Sequence, residues 1–213
     1  MSRSYDALFA LRVRTPRLEL RAPTDDDLDA LLAVARAGVH DPAVMPFVVP
    51  WTDLTGSAFD EGFMGYYQHA RETWSPERWS LPLAVVVEGA AVGVQSVGAV
   101  RFSERRTVDT GSWLGRAYQG RGLGAEMRRA VLHLAFEGLG ALFAETGALE
   151  GNAASLRVTE RLGYAPHGER VVSPRGAPVR ERRFRLEREG WLRVRRDDIS
   201  LVGLEACAGL FGA

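Results

Sequence analysis

Polar and apolar positions first alternate at Arg17-Leu18-Glu19-Leu20-Arg21, the pattern of a half-buried strand, which Pro23 closes. Thr24 followed by Asp25, Asp26 and Asp27 predicts a helix start, with a capping hydroxyl and acids at the positive end of the dipole. Leu28, Leu31, Leu32 and Ala35 form one apolar stripe, and Gly38 ends the helix. Consecutive helix positions do not converge on one ion, so capping accounts for the acid triplet better than a metal does. His40 to Trp51 carries Pro42, Pro46 and Pro50 and reads as irregular. A second helix is predicted over about 57–73. Residues 81–87, a turn at Glu88-Gly89 and residues 92–97 read as a hairpin. A strand follows from Thr107 to Leu114, with Val108, Thr110, Ser112 and Leu114 on one face. Leu123, Met127, Ala130, Val131 and Leu134 then recur at helical spacing. A strand over 141–149, a short helix over 153–162 and a strand over 164–172 come next. In a last strand, Phe184 and Leu186 alternate with Arg183, Arg185 and Glu187. The order is mixed α and β around a central sheet. Beyond Gly190 the pattern predicts no element.

Composition narrows the function. The 213 residues contain no internal repeat and no Pro-, Gly- or Ser-rich linker, so one domain over 1–213 is expected. A chain this long buries roughly 70% of its unfolded surface and needs no disulfide or metal to hold a core. The formal charge of zero argues against a nucleic-acid binder. The nine arginines and three glutamates between Arg175 and Arg196 read as a solvated strand edge and tail. Cys207, the single cysteine, excludes an intramolecular disulfide and a multi-cysteine zinc site. His40, His69, His133 and His167 have no metal-ligand spacing, and no metal is expected. No run approaches the roughly 18 apolar residues of a membrane span. Ala7 to Leu11, broken by Arg12 and Arg14, is too short for a signal-peptide core, so a cytoplasmic location is expected. All 27 basic residues are arginine, which rules out a lysine Schiff base or a P-loop lysine. No Gly-x-Ser-x-Gly elbow supports a serine hydrolase. Trp51, Trp74 and Trp79 suit either an acceptor pocket or the core.

The chemistry concentrates where the 107–114 strand meets the next helix, at Trp113-Leu114-Gly115-Arg116-Ala117-Tyr118-Gln119-Gly120-Arg121-Gly122-Leu123-Gly124. Gly120, Gly122 and Gly124 permit positive φ and close backbone approach. They lead into a helix whose first N–H groups lack intrahelical partners, which is a natural anion site and suits a pyrophosphate. Arg121 can add a charge-assisted contact. A plain connecting turn explains the glycine spacing equally well. A P-loop does not fit, because Leu123 and Gly124 stand where Lys and Ser or Thr belong. A dinucleotide fingerprint does not fit either, because the third glycine comes too soon.

Gln119-Gly120-Arg121-Gly122-Leu123-Gly124 resembles the Gln/Arg-x-x-Gly-x-Gly/Ala motif of the GNAT acyltransferases. Gly111-Ser112-Trp113-Leu114 resembles that family's fourth strand, and Asn152-Ala153-Ala154-Ser155 with Leu162-Gly163-Tyr164 resembles its Asn-x-x-Ser and Leu-Gly-Phe element. The likeness covers about residues 14–187, leaving 188–213 as a C-terminal extension. It is greatest to the branch with ribosomal-protein N-terminal acetyltransferases (RimJ/RimL-like). His40-Asp41-Pro42, Met45-Pro46-Phe47, Pro50-Trp51-Thr52 and Val108 to Trp113 are also similar to an actinobacterial subgroup that includes a proposed succinyltransferase.

The resemblance implies an α/β (α+β) GNAT fold with a mixed, mostly antiparallel sheet flanked by helices. It further implies transfer of an acetyl or succinyl group from acetyl-CoA or succinyl-CoA to an amine, by direct attack. The acceptor would be a small molecule, a protein N-terminus or a lysine, and the assembly a homodimer. The pyrophosphate would rest on Gln119, Gly120, Arg121, Gly122, Leu123 and Gly124. The pantetheine arm would follow Trp113 and Leu114, with an amide near Leu114 polarising the thioester carbonyl. Asn152 and Ser155 would contact the cofactor from the other side. Asp109 is the general-base candidate, with a purely structural carboxylate as the competing role. Many relatives carry a tyrosine acid seven residues after the asparagine, where this chain has Thr159. Ser155 is the substitute, set against simple hydrogen bonding within its helix. Tyr118 is expected to pack beside the loop. A catalytically weak CoA-binding sensor on the same fold is the alternative.

Overall fold

The computed structural model describes residues 3–213. Nine strands form one sheet, in the order β7-β8-β6-β5-β4-β3-β2-β1-β9. They are β1 (Arg12–Arg14), β2 (Glu19–Arg21), β3 (Arg78–Val87), β4 (Ala90–Val100), β5 (Thr107–Leu114), β6 (Phe143–Leu149), β7 (Ala165–Val172), β8 (Val179–Glu187) and β9 (Ser200–Val202). The helices are α1 (Arg3–Asp6), α2 (Asp25–Ala37), α3 (Gly56–Glu72), α4 (Phe102–Arg105), α5 (Leu123–His133), α6 (Ala153–Arg161) and α7 (Arg188–Leu192). Every neighbouring pair is antiparallel except β5 and β6, which run parallel. The expected mixed, mostly antiparallel sheet flanked by helices is what the chain forms.

Local chemistry fixes the elements. The Thr24 hydroxyl accepts from the Asp27 amide and the Asp27 carboxylate accepts from the Thr24 amide, so α2 opens with a full capping box. Arg21 clamps the same carboxylate at 2.7 Å and ties the cap to β2. At the β3–β4 turn, Glu88 and Gly89 have φ of 51° and 84°, the two positive values that a two-residue hairpin needs. The α5 stripe expected to include Leu134 does so, but the helix widens into a π turn over Leu134–Gly138.

Alternation along the strands builds two cores. On one face Leu81, Leu83 and Val85 meet α5 through Leu123, Met127, Ala130 and Val131. On the other, Ala84, Val86 and Val94 lie under Leu28, Leu31 and Ala35 of α2 and Phe59, Phe63 and Tyr67 of α3.

The segment after Gly190, which carries no readable pattern, is part of this architecture. Trp191 is fully buried, stacks on Phe136 and donates to Glu137 at 2.8 Å. β9 pairs with β1, an element the pattern also did not reveal. Phe211 is buried among Trp74 and Trp79, whose indole N–H groups donate to Leu210 and Phe211 carbonyls. Those two tryptophans therefore serve the core. At the opposite edge, the β7–β8 register shifts between Pro166 and Glu169, around Gly168 at φ 113°.

Trp191→Ala should cost about 3–5 kcal/mol in urea unfolding, because a buried aromatic and its packing are lost. A loss under about 1 kcal/mol would mean the tail merely lies against the domain.

Candidate active site

β5 and β6 pair only from Thr107 with Phe143 to Thr110 with Thr146. Beyond that point β5 follows β4 to Leu114, while β6 follows β8 to Leu149. The two strands part, leaving a wedge between Gly111–Leu114 and Gly147–Leu149. Thr146 closes its narrow end by donating from its hydroxyl to the Thr110 carbonyl at 3.0 Å. The Gly115 amide bonds Val92 of β4 at 3.0 Å. Antiparallel alternation then turns the Ser112 and Leu114 main-chain groups the other way, into the wedge. The Leu114 carbonyl is taken by Gln119, and the remaining main-chain groups on that edge lack a partner strand and are open to an extended ligand.

The wedge belongs to a groove of about 940 Å³. Its walls include Ser112, Trp113, Leu114, Gln119, Gly120, Gly122, Gly124, Asn152 and Ser155, so the structure brings together most of the residues singled out in the sequence. Arg121, Leu123 and Asp109 are not among its walls. Leu123 is buried in the core, and the Arg121 guanidinium lies over the Tyr118 ring, which packs against the core edge.

The loop over the wedge is held on three sides. Gln119 donates to the carbonyls of Val39 and Leu114, each at 2.7 Å, and the Arg116 amide donates to Gly38 at 3.0 Å. Gly120 and Gly122 have φ of 75° and 80°, so both glycines are required by the backbone. No side chain caps α5, whose first amides face the groove at Gly124 and Ala125. By contrast, the Asn152 side-chain oxygen accepts from the Ser155 amide at 3.1 Å and caps α6.

Glu126 anchors α5 to the start of the sheet. It accepts from the Thr15 hydroxyl and Arg17 Nε, each at 2.6 Å, and Arg17 also donates to the Arg121 carbonyl at 3.0 Å. Burial pushes the Glu126 carboxyl up, but the Thr15 and Arg17 hydrogen bonds outweigh it and hold the group below its ordinary value.

Asp109 sits on β5 beside Glu145 of β6. Arg183 donates to Asp109 at 2.9 Å and to Glu145 at 3.3 Å, and the Asp109 side chain is 64% exposed. Burial pushes the Glu145 carboxyl up, yet Arg185, His167 and Arg183 together hold it below the usual carboxylate range. Thr159 is fully buried and donates to the Ser155 carbonyl at 2.9 Å, which leaves it unable to reach a ligand. Ser155 does face the groove.

Trp113 joins Trp51, Phe59, Phe63 and Tyr67 in an aromatic cluster on the α2–α3 face, and Phe47 extends it to the groove. Of the three tryptophans open to either role, Trp51 is the one near the groove. Sequence reasoning missed Arg128, a groove residue only 4% exposed. Its signal was a charge four residues after Gly124, on the same face of a helix that otherwise packs in the core.

A family model for the acetyltransferase (GNAT) domain matches residues 17–165, and the chain belongs to that family. Among solved structures, it is similar to Mycobacterium smegmatis RimJ in complex with CoA-disulfide. The two share 16% identity and a TM-score of 0.66, with 95% of each chain covered. RimL, a ribosomal L7/L12 alpha-N-protein acetyltransferase in complex with coenzyme A, matches with 17% identity and a TM-score of 0.62, covering 81% of this chain and 95% of that one. A GCN5-related N-acetyltransferase from Brucella melitensis matches with 20% identity and a TM-score of 0.66, covering 85% and 80%. Among the described residues no helix is long and apolar enough to cross a membrane, and no cluster of acids, histidines and cysteine could hold a metal.

Glu126→Gln should destabilise the protein by about 2 kcal/mol at pH 7, the scale of hydrogen bonds to a charged group. Because the folded-state value is depressed, the charged form's contribution is full above the unfolded pKa of about 4.3 and is lost as pH falls through the folded value. Denaturation at pH 7 and at pH 3 should therefore show the gap between the two proteins narrowing in acid. An unchanged gap would remove the ionic role from Glu126.

Proposed function

We propose that the chain is an acyl-CoA-dependent N-acyltransferase that takes an acetyl or succinyl group to an amine. The observation that carries this reading is the wedge between β5 and β6, opening directly beneath the uncapped start of α5. Uncapped amides with the helix dipole behind them suit a diphosphate, and unpaired strand edges suit the amide groups of a pantetheine arm. The groove's residues fit such a molecule: Gln119, Gly120, Gly122 and Gly124 would hold its phosphates, with Leu123 and Arg121 shaping the same turn. Trp113, Leu114 and Asn152 would line the arm. When bound, coenzyme A supplies the acyl group as a thioester, with a thiol as leaving group.

The protein's own groups then have three tasks. The Ser112 and Leu114 amides, turned into the wedge, would polarise the acyl carbonyl; one such donor is worth about 3 kcal/mol in a transition state. Asp109, solvated and paired with Arg183, would accept the amine's proton through water. Ser155 would donate a proton to the departing sulfur, a task that buried Thr159 does not perform. A carbon–nitrogen bond forms as the carbon–sulfur bond breaks, and one proton leaves the amine while one reaches the thiolate. The acceptor would approach from the aromatic side, past Trp113, Phe47 and Trp51. A small amine, a protein N-terminus or a lysine fits that approach, and similarity to RimL, an alpha-N-protein acetyltransferase, favours a protein N-terminus. A cytoplasmic homodimer belongs to the same reading, and light scattering should give twice the 23.4 kDa chain mass.

Coenzyme A at 100 times its dissociation constant should stabilise the protein by about 2.7 kcal/mol in thermal unfolding. Thiol release with acyl-CoA and a panel of amines should follow saturation kinetics. Ser155→Ala should lower kcat about a hundredfold with little change in KM, as expected for loss of a general acid. Binding without thiol release from any amine would instead favour a sensor.

A further inference from the structure

Three carboxylates among the described residues are buried: Asp27, Glu126 and Glu181. In the first two, both oxygens are occupied. Asp27 receives Arg21 on each oxygen and the Thr24 amide on one of them, and Glu126 receives Thr15 on one oxygen and Arg17 Nε on the other. Glu181 is the exception. It is 4% exposed and its Oε2 accepts from Arg170, but among the described residues nothing donates to Oε1. Arg183 Nη1 stands off from Oε1 at 3.9 Å, beyond hydrogen-bond reach. A buried ion pair offsets its desolvation only when the remaining lone pairs are also met, so Oε1 calls for a donor from outside the fold. Oε1 is not one of the sealed polar atoms of the interior, and Glu181 is a wall of the groove, so a donor can reach it from there.

Strand register places that oxygen. On β6, Leu149 is the partner of Glu181 and Gly147 the partner of Arg183. Glu181 reaches along β8 and lays its carboxylate over Gly147, where an added methyl group would collide with Oε1. Gly147 is the first residue of β6 past Thr146, where pairing with β5 ends, so the carboxylate stands at the edge of the wedge. Alternation then fixes the face. Asp109 and Glu145 are register partners, so Gly111 and Trp113 of β5 share a face with Gly147 and Leu149 of β6. Glu181 and Trp113 therefore flank the wedge from its two sides, on the face of the acceptor's approach.

We infer that Glu181 is the docking anion for the acceptor: its Oε1 takes the ammonium of a primary aliphatic amine and holds the nitrogen beside the wedge. This rests on the wedge presenting an acyl thioester, as proposed above, and adds the residue and the charge by which the amine is selected. An ammonium carries three donors, one of which satisfies Oε1. A neutral alcohol or an uncharged aromatic amine brings no cation to the carboxylate and is disfavoured. The proton is then lost through water to Asp109, which Arg183 ties to the same face, with Nη2 at 2.9 Å from Asp109 and Nη1 toward Glu181. Asp109 is exposed and is not a groove wall, so it suits the proton's destination and not the amine's seat.

Binding to the CoA-saturated protein, followed by ligand-observed NMR at pH 7, tests the site without relying on turnover. The probes are n-butylamine against n-butanol, and alanyl-alanine amide against its N-acetyl form; both amines are mainly protonated at that pH. In at least one pair the amine should bind about tenfold more tightly than its neutral partner, the ratio expected from a hydrogen bond to a charged group. Glu181→Gln, which keeps the shape of the side chain, should bring that ratio to about one and leave the CoA dissociation constant unchanged. Asp109→Asn should keep the ratio. No preference in either pair by the unaltered protein would overturn the inference, and that arm needs no variant. A preference that survives Glu181→Gln, or vanishes in Asp109→Asn, would overturn it as well, as would an equal loss of CoA affinity in Glu181→Gln. Failure of the unaltered protein to bind CoA would instead remove the acyl-CoA reading itself.

Discussion

Main-chain hydrogen bonds cannot be left open in a folded interior, and the parting of β5 from β6 breaks that rule in the middle of the sheet. The pair is also the one parallel junction among eight antiparallel or parallel neighbours. Both strands remain fully supported on their outer sides, β5 by β4 and β6 by β8. The scaffold therefore tolerates the gap, and the exposed edges become a built-in receptor for an extended chain of amides. Everything assigned to the groove depends on this split, because the loop, the helix start and Asn152 are placed around its mouth.

Positioning is achieved by ties that cross long sequence distances. Arg17, at the start of the first legible strand, reaches both Glu126 on α5 and the Arg121 carbonyl of the glycine loop. Gln119 binds the loop to the end of β5 and to Val39, two residues past α2. On the other side, Arg175 in the β7–β8 turn donates to Asp53 at 2.7 Å and to the Pro42 carbonyl at 3.0 Å, fastening that hairpin to the irregular proline-bearing segment. The walls of the groove thus come from segments far apart in sequence, from Val39 to Glu181, while its floor is the sheet.

The elements with strong periodicity or capping were legible in the sequence: the α2 cap, the β3–β4 hairpin, β5 to Leu114 and the α5 stripe. Each is dictated by contacts within a few residues. β1 and β9 were not legible, because three-residue strands carry too little alternation to register and are fixed by pairing with other strands, β1 between β2 and β9 and β9 on β1. Trp191 and Phe211 gave no signal for a similar reason: a single aromatic does not announce its partner. At the site, the glycine loop could be read because its backbone demands are local. The pairing of Asp109 with Arg183, across 74 residues, and the burial of Arg128 beside Ser112 and Thr146 could not, since both depend on what the fold brings near.

An open sheet has two free margins, and each is blunted differently. At one end β9 offers only three residues; at the other, β7 is interrupted by Pro166 and the kink at Gly168 and carries the charged Glu169 and Arg170. Neither margin presents a long flat ladder onto which another polypeptide could add. Nine strands can accumulate in one layer here without the protein becoming a seed for fibrous aggregation.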